Sequence, residues 1–456
     1  MIKTDSRRPC VICGEEKEFH DIDYLRTKPC QLKICSKCGF IFSDRFYNEQ
    51  ELEIYYEMRY RKQGVNVDHL ITANRKLGFL EASLGKYLKE HKDLKICDIG
   101  AGIGYVLHWA KMQYGHNQIF GVEYDIKIRR YAKNAFGIDL TKEFDDTQKY
   151  DLIITNHVLE HVIDPRKELE RIKNALTAKG IFYFGSPVWM ENISFLDGNP
   201  GANENTFDGY FHEDHINCWT KQQLDHLLSQ TGWKIKQEIK MNGIVYILIP
   251  ATKEFKKETD YTKNGKETEI ELIDMKRAIE AFKKTNFREA IRLYPKFVDA
   301  YIAESGSQQG KLELQIRILD AGIKMCPDSI ILKTNKALLF FQYDKLEEAQ
   351  QLFIECVKFF PHNENLLFHL AMIHFKYGEK CYNENKIEDG NKNWNECLQI
   401  FNMILQINPL QYQQVYNFIG HIYSNRILKG KEIKDNIPDF KTPTSKNAPQ
   451  IELGLK

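Results

Sequence analysis

The sequence predicts an α/β core with a parallel sheet, preceded by a small metal-bound module and followed by an all-α domain of helical repeats. Strand and helix patterns alternate over residues 93–252, which is typical of βαβ units. Two Cys-x-x-Cys-Gly pairs lie within the first 39 residues. Prolines at positions 295, 327 and 361 are 32 and 34 residues apart, as in helical repeats.

The composition narrows the classes of partner. Lysine plus arginine (64) nearly equals aspartate plus glutamate (63), so the net charge is only +1. A balanced charge argues against a dedicated nucleic-acid surface. No apolar run reaches the roughly 18 residues of a membrane helix, and the first residues lack a signal-peptide core. We therefore expect a cytoplasmic protein with no membrane span.

Residues 1–48 are predicted to form a zinc-ribbon-like module. Its two Cys-x-x-Cys-Gly pairs, 21 residues apart, supply four thiolates in the number that tetrahedral zinc requires, from Cys10, Cys13, Cys35 and Cys38. Such a closed site is structural, because it leaves no open position on the metal. A redox dithiol is the alternative that the pairing disfavours, and Cys30 lies outside both pairs.

Residues 49–92 are predicted to form a helical neck. A polar start at Asn48 precedes apolar residues at helical spacing, and the spacing continues through Leu70, Leu77 and Leu84. A lid over the core and a plain packing helix both fit this pattern.

The strongest motif of the core is an acid followed by three glycines, at Asp98, Gly100, Gly102 and Gly104. A buried strand that ends in glycines can turn sharply into a helix and approach a ligand closely. Glu123 ends the next predicted strand, where a carboxylate can bind both hydroxyls of a ribose. A dinucleotide site or a turn without ligand would use similar residues.

The acid-x-Gly-x-Gly-x-Gly run resembles motif I of class I S-adenosylmethionine-dependent methyltransferases. Residues 150–162 resemble motif IV and the helix after it, and residues 179–184 resemble the next strand. The paired cysteines ahead of the core resemble a branch from natural-product and surface-glycan pathways that includes sugar methyltransferases. The resemblance covers residues 8–252 and implies a Rossmann-like seven-stranded sheet with an antiparallel edge hairpin.

The resemblance also implies a cofactor site. The glycine turn would hold the methionine portion of S-adenosylmethionine, with Asp98 beside it. Glu123 is the first choice for the ribose hydroxyls, with Asp125 as the runner-up, and Asn156 lies on the same rim. The family's acid near the adenine amine has its loosest match here, at Asp145 or Asp146.

Four histidines are candidates for a general base, because imidazole titrates near neutral pH. His161 is the first choice and His215 the second, followed by His157 and His212. Their spacing also allows a metal site beside Glu213 or Asp214. An acceptor that is already nucleophilic would need no base.

The acceptor is predicted to be a small polar molecule. The segment after the third strand reads Asn156-His157-Val158-Leu159 and lacks the Asn/Asp-Pro-Pro-Tyr run of many base and amide methyltransferases. We therefore expect O- or C-methylation of a nucleotide-linked sugar, a surface-glycan precursor or a natural-product intermediate. A protein methyltransferase that recruits substrate through its repeats and a non-catalytic adaptor with a vestigial cofactor fold are the alternatives.

The C-terminal half is predicted to be a linker (253–269), tetratricopeptide-like repeats (270–430) and a tail (431–456). Small and aromatic residues before Pro361 fall at the positions that the tetratricopeptide pattern uses, at Ala337, Phe340, Ala349 and Phe353. Such units bury their faces only by stacking. The repeats would bind a protein partner, self-associate or extend the structure.

Overall fold

The computed structural model describes most of the chain: residues 8–22, 32–43, 77, 80–81, 83–188, 211, 215–241, 243–251, 264–359, 363–407 and 413–428. Contacts divide the chain into two compact units. The first comprises residues 1–68, 90–111 and 115–332, and the second the remaining residues.

In the part of the chain that the structure describes, the core sheet has six strands in the order β5-β4-β6-β7-β10-β9. The first four are parallel, and the last two form an antiparallel hairpin at the edge, as the sequence predicted. Strand β7 pairs with both sets and carries the longest run of buried residues. The strands are β4 (Ile96–Ile99), β5 (Ile119–Val122), β6 (Tyr150–Asn156), β7 (Leu176–Ser186), β9 (Trp233–Met241) and β10 (Gly243–Pro250).

The seventh strand of the prediction is reduced to one bridge in the described residues. Thr141 pairs with Val122 in parallel beyond β5. The Thr141 amide donates to Gly121 O, and the Glu123 amide donates to Thr141 O, both at 2.9 Å. The chain bends directly afterwards, at residues 142 and 143, where Thr141 Oγ1 donates to Glu143 O at 2.9 Å. The pairing ends at this bend.

Within the described residues, four helices connect the strands of the core sheet: α1 (Tyr105–Tyr114), α2 (Ile126–Phe136), α3 (Pro165–Ala175) and α4 (Lys221–Gln230). Their starts follow from local chemistry. Asp125 caps α2, Asp164 caps α3 ahead of Pro165, and Thr220 forms a capping box with Gln223 in α4.

The N-terminal residues form a small antiparallel sheet, here called the cysteine module (residues 8–22 and 32–43). Its strands are β1 (Phe19–Ile22), β2 (Leu32–Cys35) and β3 (Ile41–Ser43). A fourth strand, β8 (Asn217–Cys218), comes from the core and pairs with β3. The module is therefore joined to the core by main-chain hydrogen bonds as well as by side chains.

The cysteine module is buried against two different surfaces. Phe40 and Phe42 belong to the hydrophobic cluster of the core, which includes Trp219. Ile34 and Ile41 belong to a second cluster, shared with the first C-terminal helices. Arg166 of α3 donates to Val11 O and Ile12 O.

The C-terminal half is helical, as predicted. Its helices are α5 (Gly265–Lys283), α6 (Phe287–Leu293), α7 (Val298–Ser307), α8 (Leu312–Met325), α9 (Ile330–Gln342), α10 (Leu346–Phe359), α11 (Glu364–Asn383), α12 (Ile387–Ile407) and α13 (Gln413–Leu428). Helix α5 begins inside the segment predicted as a linker, because Asn264 and Glu267 form a capping box.

Left-handed residues mark four of the turns between these helices: Thr285, Gly310, Asp344 and Asn385. They follow α5, α7, α9 and α11, so each turn separates the two helices of a hairpin. No described helix has the length and apolar character that crossing a membrane requires.

Candidate functional site

The glycine turn between β4 and α1 adopts the backbone that its sequence predicts. Gly100, Gly102 and Gly104 have φ of 76°, 54° and 76°, in the left-handed region. A Cβ on Gly100 would lie 2.6 Å from Val158 Cγ2, and one on Gly104 would lie 3.2 Å from Ala132 Cβ. Glycine is therefore needed at Gly100 and Gly104 for space as well as for backbone angle.

Glu123 stands directly after β5, beside the glycine turn. The amides of Gly100 and Ala101 both donate to Val122 O, at 2.9 and 2.8 Å, so the turn is tied to the end of β5. Glu123 Oε1 accepts the amide of Asp125 at 3.0 Å. Arg129 donates to Glu123 O at 2.7 Å and fixes the main chain there. The carboxylate thus lies at the carboxyl end of the parallel strands, where such sheets bind ligands.

The other predicted acids have structural partners. Asp125 is buried and caps α2 by accepting the amides of Lys127 and Ile128 at 2.7 and 3.4 Å. Asp145 accepts from Thr147, and Asp146 pairs with Arg171 at 2.7 Å. These contacts favour Glu123 over Asp125 for a ribose.

Asp98 and Asn156 lie at the carboxyl-terminal ends of neighbouring parallel strands. Asp98 is in β4 and only 4% exposed. Asn156 is the last residue of β6 and packs over Gly185, where a Cβ would lie 2.3 Å from Asn156 Oδ1. Both positions fit the rim that the sequence predicted for the cofactor.

Three of the four predicted histidines surround one buried carboxylate. His157 has a left-handed backbone (φ 58°), and its Nδ1 lies 3.2 Å from Glu160 Oε1. The rings of His161 and His215 meet edge to face, with centroids 5.0 Å apart. One ligand atom from each of Glu160, His161 and His215 lies within 4.8 Å of the others. His212 is outside the described residues, as are Glu213 and Asp214.

Glu160 is the functional candidate that the sequence analysis missed. It is fully buried, and Ser186 Oγ donates to its Oε2 at 3.3 Å. Burial alone would raise the pKa of this carboxyl group, but the hydrogen bond from His157 and the charges of His157, His161 and His215 lower it to about 2. Glu160 is therefore an anion that its histidines stabilise. Its only sequence signal was its place next to His161.

Arg8 of the cysteine module holds the main chain around these histidines. Its guanidinium donates to Ser43 O at 3.0 Å, Ile163 O at 2.7 Å and Ile216 O at 2.6 Å. The Ile216 amide in turn donates to Glu160 O at 3.0 Å. Arg8 thus connects β3 with the main chain at Ile163, which follows His161, and at Ile216, next to His215.

The four predicted cysteines are brought together in the cysteine module. Cys10 and Cys38 have their Sγ atoms 3.5 Å apart, as do Cys13 and Cys35. In a tetrahedral zinc site with bonds near 2.3 Å, sulfurs lie about 3.8 Å apart. Gly14 and Gly39, which follow the two pairs, have positive φ. The donor set and its spacing fit a structural metal.

The sequence also predicts that the long segment 186–220, rich in Gly, Asn, Pro and aromatic residues, forms the acceptor pocket. Two of its aromatic residues are core residues. Trp219 is fully buried and donates from Nε1 to Ser186 Oγ at 3.0 Å. Phe211 is 3% exposed and belongs to the cluster shared with the module. Trp189, Phe195 and Tyr210, the other residues in that prediction, lie outside the described residues.

Residues 72–238 match a family model described as a methyltransferase domain. The matched range includes the glycine turn, Glu123 and the histidines around Glu160. No curated protein matches the sequence.

Solved structures resemble parts of the chain at low identity. The plantazolicin methyltransferase BpumL in complex with SAH is 14% identical, with a TM-score of 0.33. The match covers 44% of this chain and 94% of the BpumL chain. An S-adenosylmethionine-dependent methyltransferase from Mesorhizobium loti is 16% identical (37% and 96%, TM-score 0.30). The mitomycin 7-O-methyltransferase MmcR is 12% identical (40% and 54%, TM-score 0.31).

Proposed function

We propose that this S-adenosylmethionine-dependent methyltransferase methylates an oxygen or carbon atom of a small polar acceptor, such as a nucleotide-linked sugar, a surface-glycan precursor or a natural-product intermediate. The supporting observation is that the glycine turn packs against the segment after β6, because Gly100 leaves room for the side chain of Val158. Val158 belongs to the segment that carries His157 and Glu160. A cofactor on the glycine turn and an acceptor at the histidines would therefore be neighbours.

The residues of the glycine turn and β5 would bind and orient the cofactor. S-adenosylmethionine supplies a methyl group on a positively charged sulfur, and methyl transfer from it needs mainly alignment of donor and acceptor. The main chain at Gly100 and Gly102 would approach the methionine portion, with Asp98 beside it. Glu123 would accept hydrogen bonds from the ribose hydroxyls, and Asn156 would contribute at the neighbouring strand.

Acceptor activation would take place at the histidine cluster, defined here as Glu160, His161 and His215. His161, the base predicted from sequence, is a member of it, as is His215. Glu160 places a buried carboxylate beside the two imidazoles. His157 contacts Glu160 from the other side and would orient it.

Zinc at Cys10, Cys13, Cys35 and Cys38 is part of the proposal. The metal would stabilise the cysteine module. Arg8 of this module donates to Ile163 O and Ile216 O, next to the histidine cluster. Metal analysis of the purified protein should give one zinc per chain at this site. The variant Cys35→Ser/Cys38→Ser should lose it, and an unchanged zinc content in that variant would refute the four-thiolate assignment.

Transfer of a labelled methyl group tests the proposed reaction. The full-length protein and labelled S-adenosylmethionine are added to a lysate separated into small-molecule and protein fractions. We expect label in the small-molecule fraction, with mass spectrometry identifying a product heavier by one methyl group. Label confined to protein would support the protein methyltransferase instead. Binding of the cofactor without transfer to any fraction would support the adaptor.

A further inference from the structure

The histidine cluster has the composition of a metal site. Its donors are one carboxylate and two imidazoles, with ligand atoms within 4.8 Å of one another. Around one cation, with bonds of about 2.0–2.2 Å, three ligands lie roughly 3 to 4 Å apart. Small side-chain rotations would close the present spacing to that range. Within the described residues, the four cysteines form the other group of this kind.

The burial of Glu160 makes a cation favourable there. Its carboxylate is fully enclosed, and an isolated anion in such a place is costly. Ser186 Oγ supplies one neutral hydrogen bond, at 3.3 Å from Oε2. His157, His161 and His215 also lie near it, and imidazoles balance the charge only when protonated. A divalent cation would balance it with the imidazoles neutral, the form in which they bind metals.

Main-chain and side-chain hydrogen bonds hold the cluster in place before any ligand arrives. The Ile216 amide bonds Glu160 O at 3.0 Å, next to His215. Asn217 Nδ2 donates to Leu159 O at 3.1 Å and to Val162 O at 2.7 Å, on either side of His161. Trp219 Nε1 orients Ser186, which orients Glu160. Outer contacts of this type typically fix the ligands of metal sites.

We propose that Glu160, His161 and His215 bind a divalent transition-metal cation at the acceptor end of the site. Two imidazoles and one carboxylate leave further coordination positions open, and this donor set suits Mn²⁺, Fe²⁺ and related ions. The open positions would take a hydroxyl oxygen of the acceptor. This role for the cation rests on the proposed function, and it makes His161 a ligand instead of a base.

The chemistry then follows from the cation. Coordination lowers the pKa of the acceptor hydroxyl, which gives its proton to water. The oxygen forms a bond to the methyl carbon as the carbon–sulfur bond breaks, and the electron pair of that bond stays on sulfur as a neutral thioether. No oxidant or reductant is needed. The proposal therefore selects O-methylation of a hydroxyl-bearing acceptor.

Mn²⁺ binding to the full-length protein tests the site without cofactor or acceptor. Chelator-treated protein that retains its cysteine-bound zinc is titrated with Mn²⁺, and free Mn²⁺ is followed by electron paramagnetic resonance. We expect one site per chain with a Kd on the order of micromolar. His215→Gln, which alters a half-buried side chain, and Glu160→Gln should each weaken binding at least about 10- to 100-fold. His108→Gln, on α1, serves as the matched control and should bind normally.

Two results would overturn the proposal. One is a folded wild-type protein that binds no Mn²⁺ below millimolar concentrations. The other is equal binding by the wild type and His215→Gln. Because the titration contains neither S-adenosylmethionine nor an acceptor, failure of the proposed methyl transfer would leave its result unaffected. Once an acceptor is known, full turnover by metal-free protein would exclude the catalytic role of the cation.

Discussion

The cofactor half of the site (residues 96–125) and its acceptor half (Arg8 with the histidine cluster) are built in different ways. The cofactor half is continuous: β4, the glycine turn, α1 and β5 follow one another, and Glu123 closes the segment. The acceptor half joins distant positions, since the contact between Arg8 and Ile216 spans 208 residues. Neighbouring residues therefore specify the cofactor half, whereas the tertiary fold brings the residues of the acceptor half together.

Each half uses an arginine to fix the main chain beside its functional acid. Arg129 donates to Glu123 O and Tyr124 O, both at 2.7 Å, and is only four residues from α2's cap. Arg8 does the same for carbonyl groups near Glu160, but from another module. We therefore expect damage to the cysteine module to impair acceptor binding and to leave cofactor binding unchanged.

The largest effect is expected for Gly100→Ala. The new methyl group would lie 2.6 Å from Cγ2 of Val158, whose branched side chain has little freedom, and φ is 76°. We expect S-adenosylmethionine affinity to fall about 100-fold or more by calorimetry, equivalent to about 3 kcal/mol. The control is Gly115→Ala, which has the same φ and nothing within 4 Å.

Gly115→Ala should cost about 1–2 kcal/mol of stability through backbone strain alone and leave cofactor affinity within about twofold. Equal loss of affinity in both variants would mean that strain, and not the lost approach at the turn, causes the defect. That result would contradict a close approach of the cofactor to the main chain at Gly100.

An intermediate effect is expected for the two arginines. Arg8→Gln removes charged hydrogen bonds from buried carbonyls, and such bonds contribute about 1.5–3 kcal/mol. We expect the KM for the acceptor to rise about tenfold or more, with cofactor affinity unchanged. Arg129→Gln should weaken cofactor affinity and leave the KM for the acceptor unchanged. Steady-state kinetics and calorimetry on both variants measure this, and a parallel loss of cofactor affinity in Arg8→Gln would contradict the separation of the halves.

The glycine turn has the backbone that the sequence predicted, because its determinants are local. The capping of α2 and α3 and the edge hairpin of the core sheet also follow from neighbouring residues. The cofactor contacts of Asp98, Glu123 and Asn156 stay a prediction. The acceptor half was predicted only in part. His161 and His215 were named, but neither the role of Glu160 nor that of Arg8 has a local signal. Likewise, Trp219 is in the core because Phe40 of the module packs near it.

The two differences between the predicted and the observed fold have local causes instead. The seventh strand does not extend because the chain bends directly after Thr141, where the Thr141 hydroxyl donates to Glu143 O. The family pattern does not encode this local hydrogen bond. The capping box at Asn264 was readable in the sequence, yet the charged composition of the preceding residues indicated a linker through 269. Composition is a weaker guide to a helix start than a cap.

The smallest effect is a pH dependence within the cofactor half. Burial and the Lys111 ammonium lower the pKa of His108, while a hydrogen bond to the Phe136 backbone opposes them. The folded state thus binds the proton less readily than the unfolded state, whose histidine titrates near 6.5. Stability from this group is complete above that pH and is lost as the pH falls below it.

Thermal unfolding at pH 7.5 and 5.5 should therefore show a smaller acid-induced drop in Tm for His108→Gln than for the wild type. The difference should be about 1 to 3 °C, because His108 is partly exposed and solvent screens its charge interactions. An identical drop in Tm in both proteins would show that protonation of His108 does not change the stability of the cofactor half.

Calorimetric titration of S-adenosylmethionine into the wild type and Glu123→Ala tests whether the glycine turn and Glu123 together hold the cofactor. We expect one site per chain in the wild type. The affinity should be at least about tenfold weaker in the variant, because charged hydrogen bonds to the ribose contribute about 1.5–3 kcal/mol. No binding to the folded wild type, or equal binding by both proteins, would contradict a cofactor held between the glycine turn and Glu123.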